Sequence, residues 1–196
     1  MGSTVEWAEC EVVLAPNAKG VGVTYSFVKE SDEKIPQPWK SALKEGALDS
    51  VMSGPLSGYP MLDVRVELKD LGFDLSVTTD GVCRVAVAQT VRKALREAKC
   101  KMLEPIFKLE VISPDDFVGN VVGDINSRRG KINSITPKGG TQVILAEAPL
   151  AELFGYATDL RSMSQGRASF TMTFSEYQAI PTKIQDEILR KMGRLI

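Results

Sequence analysis

The chain has 196 residues, 43% of them apolar and 25% charged, the balance of an ordinary globular protein. That length suits one large domain or two small ones. The net charge is −1 and histidine is absent, so no overall field draws the chain to nucleic acid, and a Ser-His-Asp or Cys-His relay has no imidazole base.

The first residues read as strands. Ala8, Cys10, Val12 and Leu14 share one face, with Glu9 and Glu11 on the other. Residues 16–20 are turn material, and Val21, Val23, Tyr25 and Phe27 alternate after them, so the pattern predicts a hairpin. Residues 30–37, charged and proline-bearing, predict a loop. From Trp39 the period becomes helical: Trp39, Ala42, Leu43, Ala47 and Val51 form one stripe, and Gly54-Pro55 ends it. Residues 62–69 alternate strictly, with Leu62, Val64, Val66 and Leu68 predicted inward. A loop over residues 70–80 leads to a helix lined by Val87, Val91, Ala94, Leu95 and Ala98, whose outer face carries Arg84, Arg92, Lys93 and Arg96. Such charge runs are usually a solvated face. The predicted order in this half is β-β-α-β-α.

At Glu104-Pro105 the period switches again. Phe107, Leu109 and Val111 predict a strand. Ser113, Pro114 and Asp116 predict a helix start, with a capping hydroxyl, a first-turn proline and an acid. Val118, Val121, Val122 and Ile125 supply the stripe, and Gly130 the stop. Strands follow at 132–136 and 142–148, then a helix over 150–165 with Leu153, Phe154, Ala157 and Leu160 inward, then a strand through Phe170, Met172 and Phe174. This is the βαββαβ, ferredoxin-like order. Residues 181–196 predict a last helix, with Ile184, Ile188, Met192 and Leu195 on one side. A helix so short is marginal alone, so the pattern predicts that it docks on the first domain.

Three dispersed cysteines, Cys10, Cys83 and Cys100, offer no metal spacing and read as reduced thiols. No apolar run is long enough to span a bilayer, and the segment from Trp7 to Leu14 carries two glutamates that argue against a secretory signal. The glycine-lysine run from Gly123 to Lys131 lacks P-loop spacing, with Ile132 where Ser or Thr is needed. No cluster of titratable groups marks an enzyme cleft. A protein–protein interaction module would instead need a contiguous exposed apolar patch, which a sequence does not display.

Several segments resemble a known family. Gly123-Asp124-Ile125-Asn126-Ser127-Arg128-Arg129-Gly130, the long run from Pro149 to Ser162 and Gln165-Gly166-Arg167 are similar to fifth-domain motifs of elongation factor G, and Leu103-Glu104-Pro105-Ile106 is similar to the family's junction before that domain. Gly58-Tyr59-Pro60 with Asp63-Val64 resembles a strand of its fourth domain. The resemblance implies an α+β chain of two domains. Residues 4–103 would have a ribosomal-protein-S5 domain-2-like fold, completed by the helix at 181–196 packing back on it. Residues 104–180 would be ferredoxin-like.

The same resemblance implies a cytoplasmic, monomeric, ribosome-binding part of a translational GTPase. Its partners would be the decoding region of the small subunit with tRNA and mRNA, and the sarcin–ricin loop and protein L11 region of the large subunit. GTP and Mg would belong only to an amino-terminal domain. This chain would hold no cofactor, metal or catalytic residue, hydrolyse no GTP and involve no membrane. Two loops at one end of the first domain would form a tip: Lys19, Gly20 and Gly22 in one, Gly72, Asp74, Thr78 and Thr79 in the other. Asp74 stands where the family often has histidine, which favours a divergent paralogue or a stand-alone interaction module, since a carboxylate repels phosphate. In the second domain Arg128, Arg129, Lys131, Arg161 and Arg167 are the contact candidates. Arg128 and Arg129 also suit a helix end on dipole grounds, and a double alanine variant is expected to fold normally.

Overall fold

The alternating run that begins near Leu62 forms the middle of a sheet. In the computed structural model, which describes residues 5–193, the first strands are β1 (Glu9–Pro16), β2 (Thr24–Phe27) and β3 (Val64–Gly72). β3 lies between the other two, antiparallel to β1 and parallel to β2. The hairpin expected of β1 and β2 is thus corrected, because β3 is inserted between them. Val66 and Leu68 on β3 are fully buried, and the central position pairs both of that strand's edges while leaving the four-residue β2 outside, where short strands are tolerated.

The parallel pair needs a crossover. It runs through α1 (Lys29–Lys34) and α2 (Gln37–Val51). The sequence pattern read α1 as loop; six residues give too little period to detect. It is pinned by the Ser31 hydroxyl, which donates to the Lys69 carbonyl, and by the buried Ile35 just beyond it. α3 (Asp80–Glu97) follows β3, capped by Thr79, whose Oγ1 accepts from Val82 N at 3.3 Å. Leu43, Ala47 and Val51 of α2 and Cys83, Val87, Val91 and Leu95 of α3 close one core with β3. Burial pushes the Cys83 thiol up to about 11, so it stays protonated there.

The second sheet comprises β4 (Leu103–Pro114), β5 (Lys131–Lys138), β6 (Thr141–Pro149) and β7 (Ser169–Ala179) in the order β5-β6-β4-β7, all neighbours antiparallel. α4 (Val118–Ser127) follows β4 and α5 (Tyr156–Met163) follows β6. This is the expected βαββαβ arrangement. Two local expectations fail. Ser113 and Pro114 end β4 rather than start a helix, and α4 has no side-chain cap; a 3-10 turn at Asp115–Phe117 makes the entry instead. The helix expected over 150–165 is broken at Gly155, which has φ 80°. A 3-10 turn (Leu150–Glu152) precedes the break and α5 follows it. The reversal shifts the inward stripe: Tyr156 and Leu160 are buried with Leu153, whereas Phe154 is 78% exposed and Ala157 also faces out. A left-handed glycine interrupts a helical period that the apolar spacing alone cannot show to be broken.

The chain divides into two compact units, one of residues through Lys101 joined by those from Asp186 onward, the other of Met102–Gln185. α6 (Thr182–Lys191) begins in the second grouping and ends in the first. Leu189 is its buried residue. Leu195, expected on the same side, lies outside the described residues, as do residue 4 and the end of the span 181–196.

Candidate nucleic-acid interface

In the first unit the two candidate loops do not converge. β1 pairs Pro16 with Val64 and Glu9 with Gly72. The loop 17–22 therefore leaves the starting end of β3, and the loop 73–79 leaves its finishing end. The expected single tip is corrected on this register. The segment beside loop 73–79 is Val5 to Ala8: Thr78 Oγ1 donates to the Trp7 carbonyl at 2.8 Å, and the Thr79 hydroxyl lies 3.2 Å from Glu6 Oε2.

Each loop is organised by a carboxylate. Asp63 accepts Gly20 N at 3.0 Å and Gly22 N at 2.7 Å, while its own carbonyl accepts Asn17 N at 2.7 Å. Both glycines have positive φ (81° and 77°), and so does Asp63 itself (51°), a conformation rare for a side chain-bearing residue. The Gly22 amide, and then the Gly20 amide, hold the Asp63 carboxyl below its ordinary range. Lys19 is exposed at the crest. Asp74 does the same work in the other loop. It accepts the Ser76 hydroxyl at 2.6 Å and the Ser76 amide at 2.8 Å, and these hold its carboxyl low. Asp74 is therefore an anion at neutral pH. Its amide donates to Thr78 Oγ1 at 3.0 Å. Thr78 is buried between that amide and Trp7, and Thr79 caps α3, so both hydroxyls serve the fold. Gly72 sits in β3 with ordinary φ, where an added Cβ would meet Trp7 at 3.5 Å without clash.

In the second unit the arginine pair points inward. Arg128 Nε donates to Asp124 Oδ2 at 2.8 Å, Nη1 to the Glu152 carbonyl at 2.8 Å and Nη2 to Asp159 Oδ2 at 2.5 Å. Its guanidinium lies 5.2 Å from the Tyr156 ring centroid, and its side chain is 15% exposed. Arg129, left-handed at φ 60°, pairs with Glu104 and reaches Glu152 Oε1 at 3.6 Å. Hydrogen bonds donated to Asp124 and to Glu104, respectively, raise both guanidinium pKa values further. The structure places Arg128 and Arg129 in ion-pair clusters within the unit rather than as free cations, and the double alanine variant is expected to be destabilised rather than to fold normally. α4 ends at Ser127, the left-handed residue after it is Arg129 rather than Gly130, and Gly130 packs so closely that an added Cβ would lie 2.5 Å from Ile125 Cγ2.

The candidates left exposed here are Lys131 at the start of β5, Arg161 in the last turn of α5 and Arg167 after it. Arg167 stacks 4.4 Å over the Phe117 ring, which fixes its aim without neutralising it. An apolar patch lies elsewhere on the unit, along β7. Met172, Phe174 and Tyr177 are exposed, and the Phe174 ring stands 6.0 Å from that of Phe107 and 5.3 Å from that of Tyr177.

Sequence reasoning missed Asp63, Glu104, Glu152 and Asp159, whose partners lie far along the chain. Only the Asp124–Arg128 pair had a visible signal, its i,i+4 spacing on a helix.

Comparison with known proteins follows the same division. The family model described as elongation factor G, domain IV matches residues 1–99, and that described as elongation factor G C-terminus matches residues 101–188. The chain belongs to the elongation factor G family. It is 43% identical over 189 residues to elongation factor G 1 of Bdellovibrio bacteriovorus, covering 96% of this chain and 27% of that protein. It is 42% identical over 192 residues to elongation factor G 2 of Desulfotalea psychrophila, covering 97% of this chain and 28% of that protein. The chain thus spans little more than a quarter of these relatives. A crystal structure of a Thermus thermophilus protein superposes with a TM-score of 0.82 at 26% identity, covering 94% of this chain and 27% of that one. Among the described residues, no helix is long and apolar enough to cross a membrane.

Proposed function

We propose that this chain is the ribosome-binding carboxy-terminal part of an elongation factor G, and that it works by shape and contact while GTP is hydrolysed on another domain. It would act in the cytoplasm as a monomer, contacting the decoding region through the first unit and the factor-binding RNA of the large subunit through the second, to promote movement of tRNA and mRNA. The observation that carries this reading is the unbroken match of both units, in order, to the last two domains of the family. The exposed cations Lys131, Arg161 and Arg167 supply groups that a phosphate backbone would meet.

Co-sedimentation with purified 70S ribosomes over a range of KCl tests the reading. The chain should pellet with ribosomes at low salt and be released as salt rises, because binding to phosphates releases counterions. No association at the lowest salt would defeat it. Purified chain should also turn over no GTP.

A second reading, a ribosome-associated interaction module without translocation activity, is favoured by two features. The Asp74 anion would face RNA phosphate unfavourably, and the β7 patch offers a protein partner apolar surface. Translocation rates of the full-length factor carrying Asp74→His separate the two. A marked gain supports the paralogue reading, and no change favours the ordinary factor.

A further inference from the structure

α5 is an eight-residue helix whose N-cap is a left-handed glycine with no side-chain cap bond. Two turns of helix are marginal without tertiary support. Tyr156 and Leu160 supply the apolar part of that support, and the polar part comes from one side chain. Arg128 ties three separate pieces together: Asp124 in the last turn of α4, the Glu152 carbonyl in the 3-10 turn and Asp159 in the first turn of α5. Its flat face covers the ring of Tyr156, the first residue of α5. Arg161 follows Asp159 by two residues on the same short helix, exposed, and among the described residues no acid pairs with it. Where Arg161 points therefore depends on where α5 sits, and the Arg128 bonds tie the first turn of α5 to α4 and the 3-10 turn.

We infer that Arg128 is a positioning residue for RNA binding: it holds α5 so that Arg161 meets phosphate, and makes no nucleic-acid contact itself. The inference rests on the ribosome-binding reading above. An ammonium does not replace the guanidinium, because its three donors leave one nitrogen, whereas these acceptors are met from Nε, Nη1 and Nη2 separately.

The test is a double-mutant cycle on the full chain, read as the slope of log affinity for 70S ribosomes against log KCl concentration. Removing one phosphate-binding cation lowers that slope by about 1. Arg161→Ala should lower it by about 1. Arg128→Gln should weaken binding and lower the slope, by no more than that, and the double variant should lower it by no more than Arg161→Ala alone. Arg128→Lys should behave as Arg128→Gln. Circular dichroism checks that each variant is folded. Asp159→Asn supplies an independent variant in which Arg128 itself is retained. If nearby charge alone governs binding, removing this acid tightens it; if α5 placement governs, binding weakens.

Three results would overturn the inference: a double variant whose slope falls by about 2, a folded Arg128→Gln variant that binds as the unaltered chain does, or an Asp159→Asn variant that binds more tightly. Failure of the unaltered chain to bind would instead sink the functional reading on which it stands.

Discussion

The two units use charge in opposite senses to shape their candidate surfaces. In the first, carboxylates gather backbone amides: Asp63 folds the 17–22 loop around itself, and Asp74 does so for 73–79. In the second, a guanidinium gathers carboxylates and a carbonyl from three elements. Each amide cluster serves a single loop, so losing one frees that loop. The arginine cluster is half-sheltered and joins distant segments, so losing it loosens a domain. In both places, charges that resemble ligand-binding groups in a sequence serve the fold instead, and contact falls to side chains that the fold leaves over.

The sharpest way to break this contrast is Arg128→Ala. It strands Asp124, itself only 19% exposed, and unpairs a backbone carbonyl. The second unit should lose about 3 kcal/mol, read by urea unfolding. A loss under about 1 kcal/mol would mean that the cluster is ornamental. Next in size is Asp63→Ala. Amide exchange at Gly20 and Gly22 should quicken while the sheet amides of β3 stay protected, and equal protection in the variant would show that the glycines hold the loop unaided.

Acid supplies a graded version of the same experiment. The Asp63 carboxyl is lowered in the fold, so its contribution is present above the unfolded value, and is lost only as pH falls from the ordinary carboxylate range through the lower folded one. Loop protection should therefore be flat from pH 7 to about 5, well above the range in which free carboxyls titrate. Loss already near neutrality would contradict it. The smallest effect should come from Arg84→Ala. Arg84 pairs with Asp49 at 2.5 Å, with the two side chains 50% and 60% exposed. The urea midpoint should stay where it is, because water and salt screen such a pair, and a clear shift would erase the distinction between sheltered and exposed arginines.

Much of this was legible in the sequence. The α+β class, the two-domain division and the βαββαβ order followed from changes of apolar period and from the family motifs. What escaped was non-local. Nothing in residues 8–27 announces that a strand forty residues later will lie between their two halves, because alternation gives a strand's faces and not its neighbours. The sequence likewise identified Arg128 and Arg129 as notable. It could not reveal that Asp159 and Glu104 would meet them, so their charge looked available when it was not. The break at Gly155 was hidden for a related reason: Leu153 and Leu160 are inward in either geometry, and only Phe154, Tyr156 and Ala157 exchange places.

The central place of β3 also sets a length scale. Nine extended residues hold the two loops roughly 27 Å apart. The first unit is therefore a spacer with a finger at each end, and a small ligand can engage only one of them at a time. A large, rigid target could be gripped at both, and its response to a change in one finger would reveal whether it feels the other.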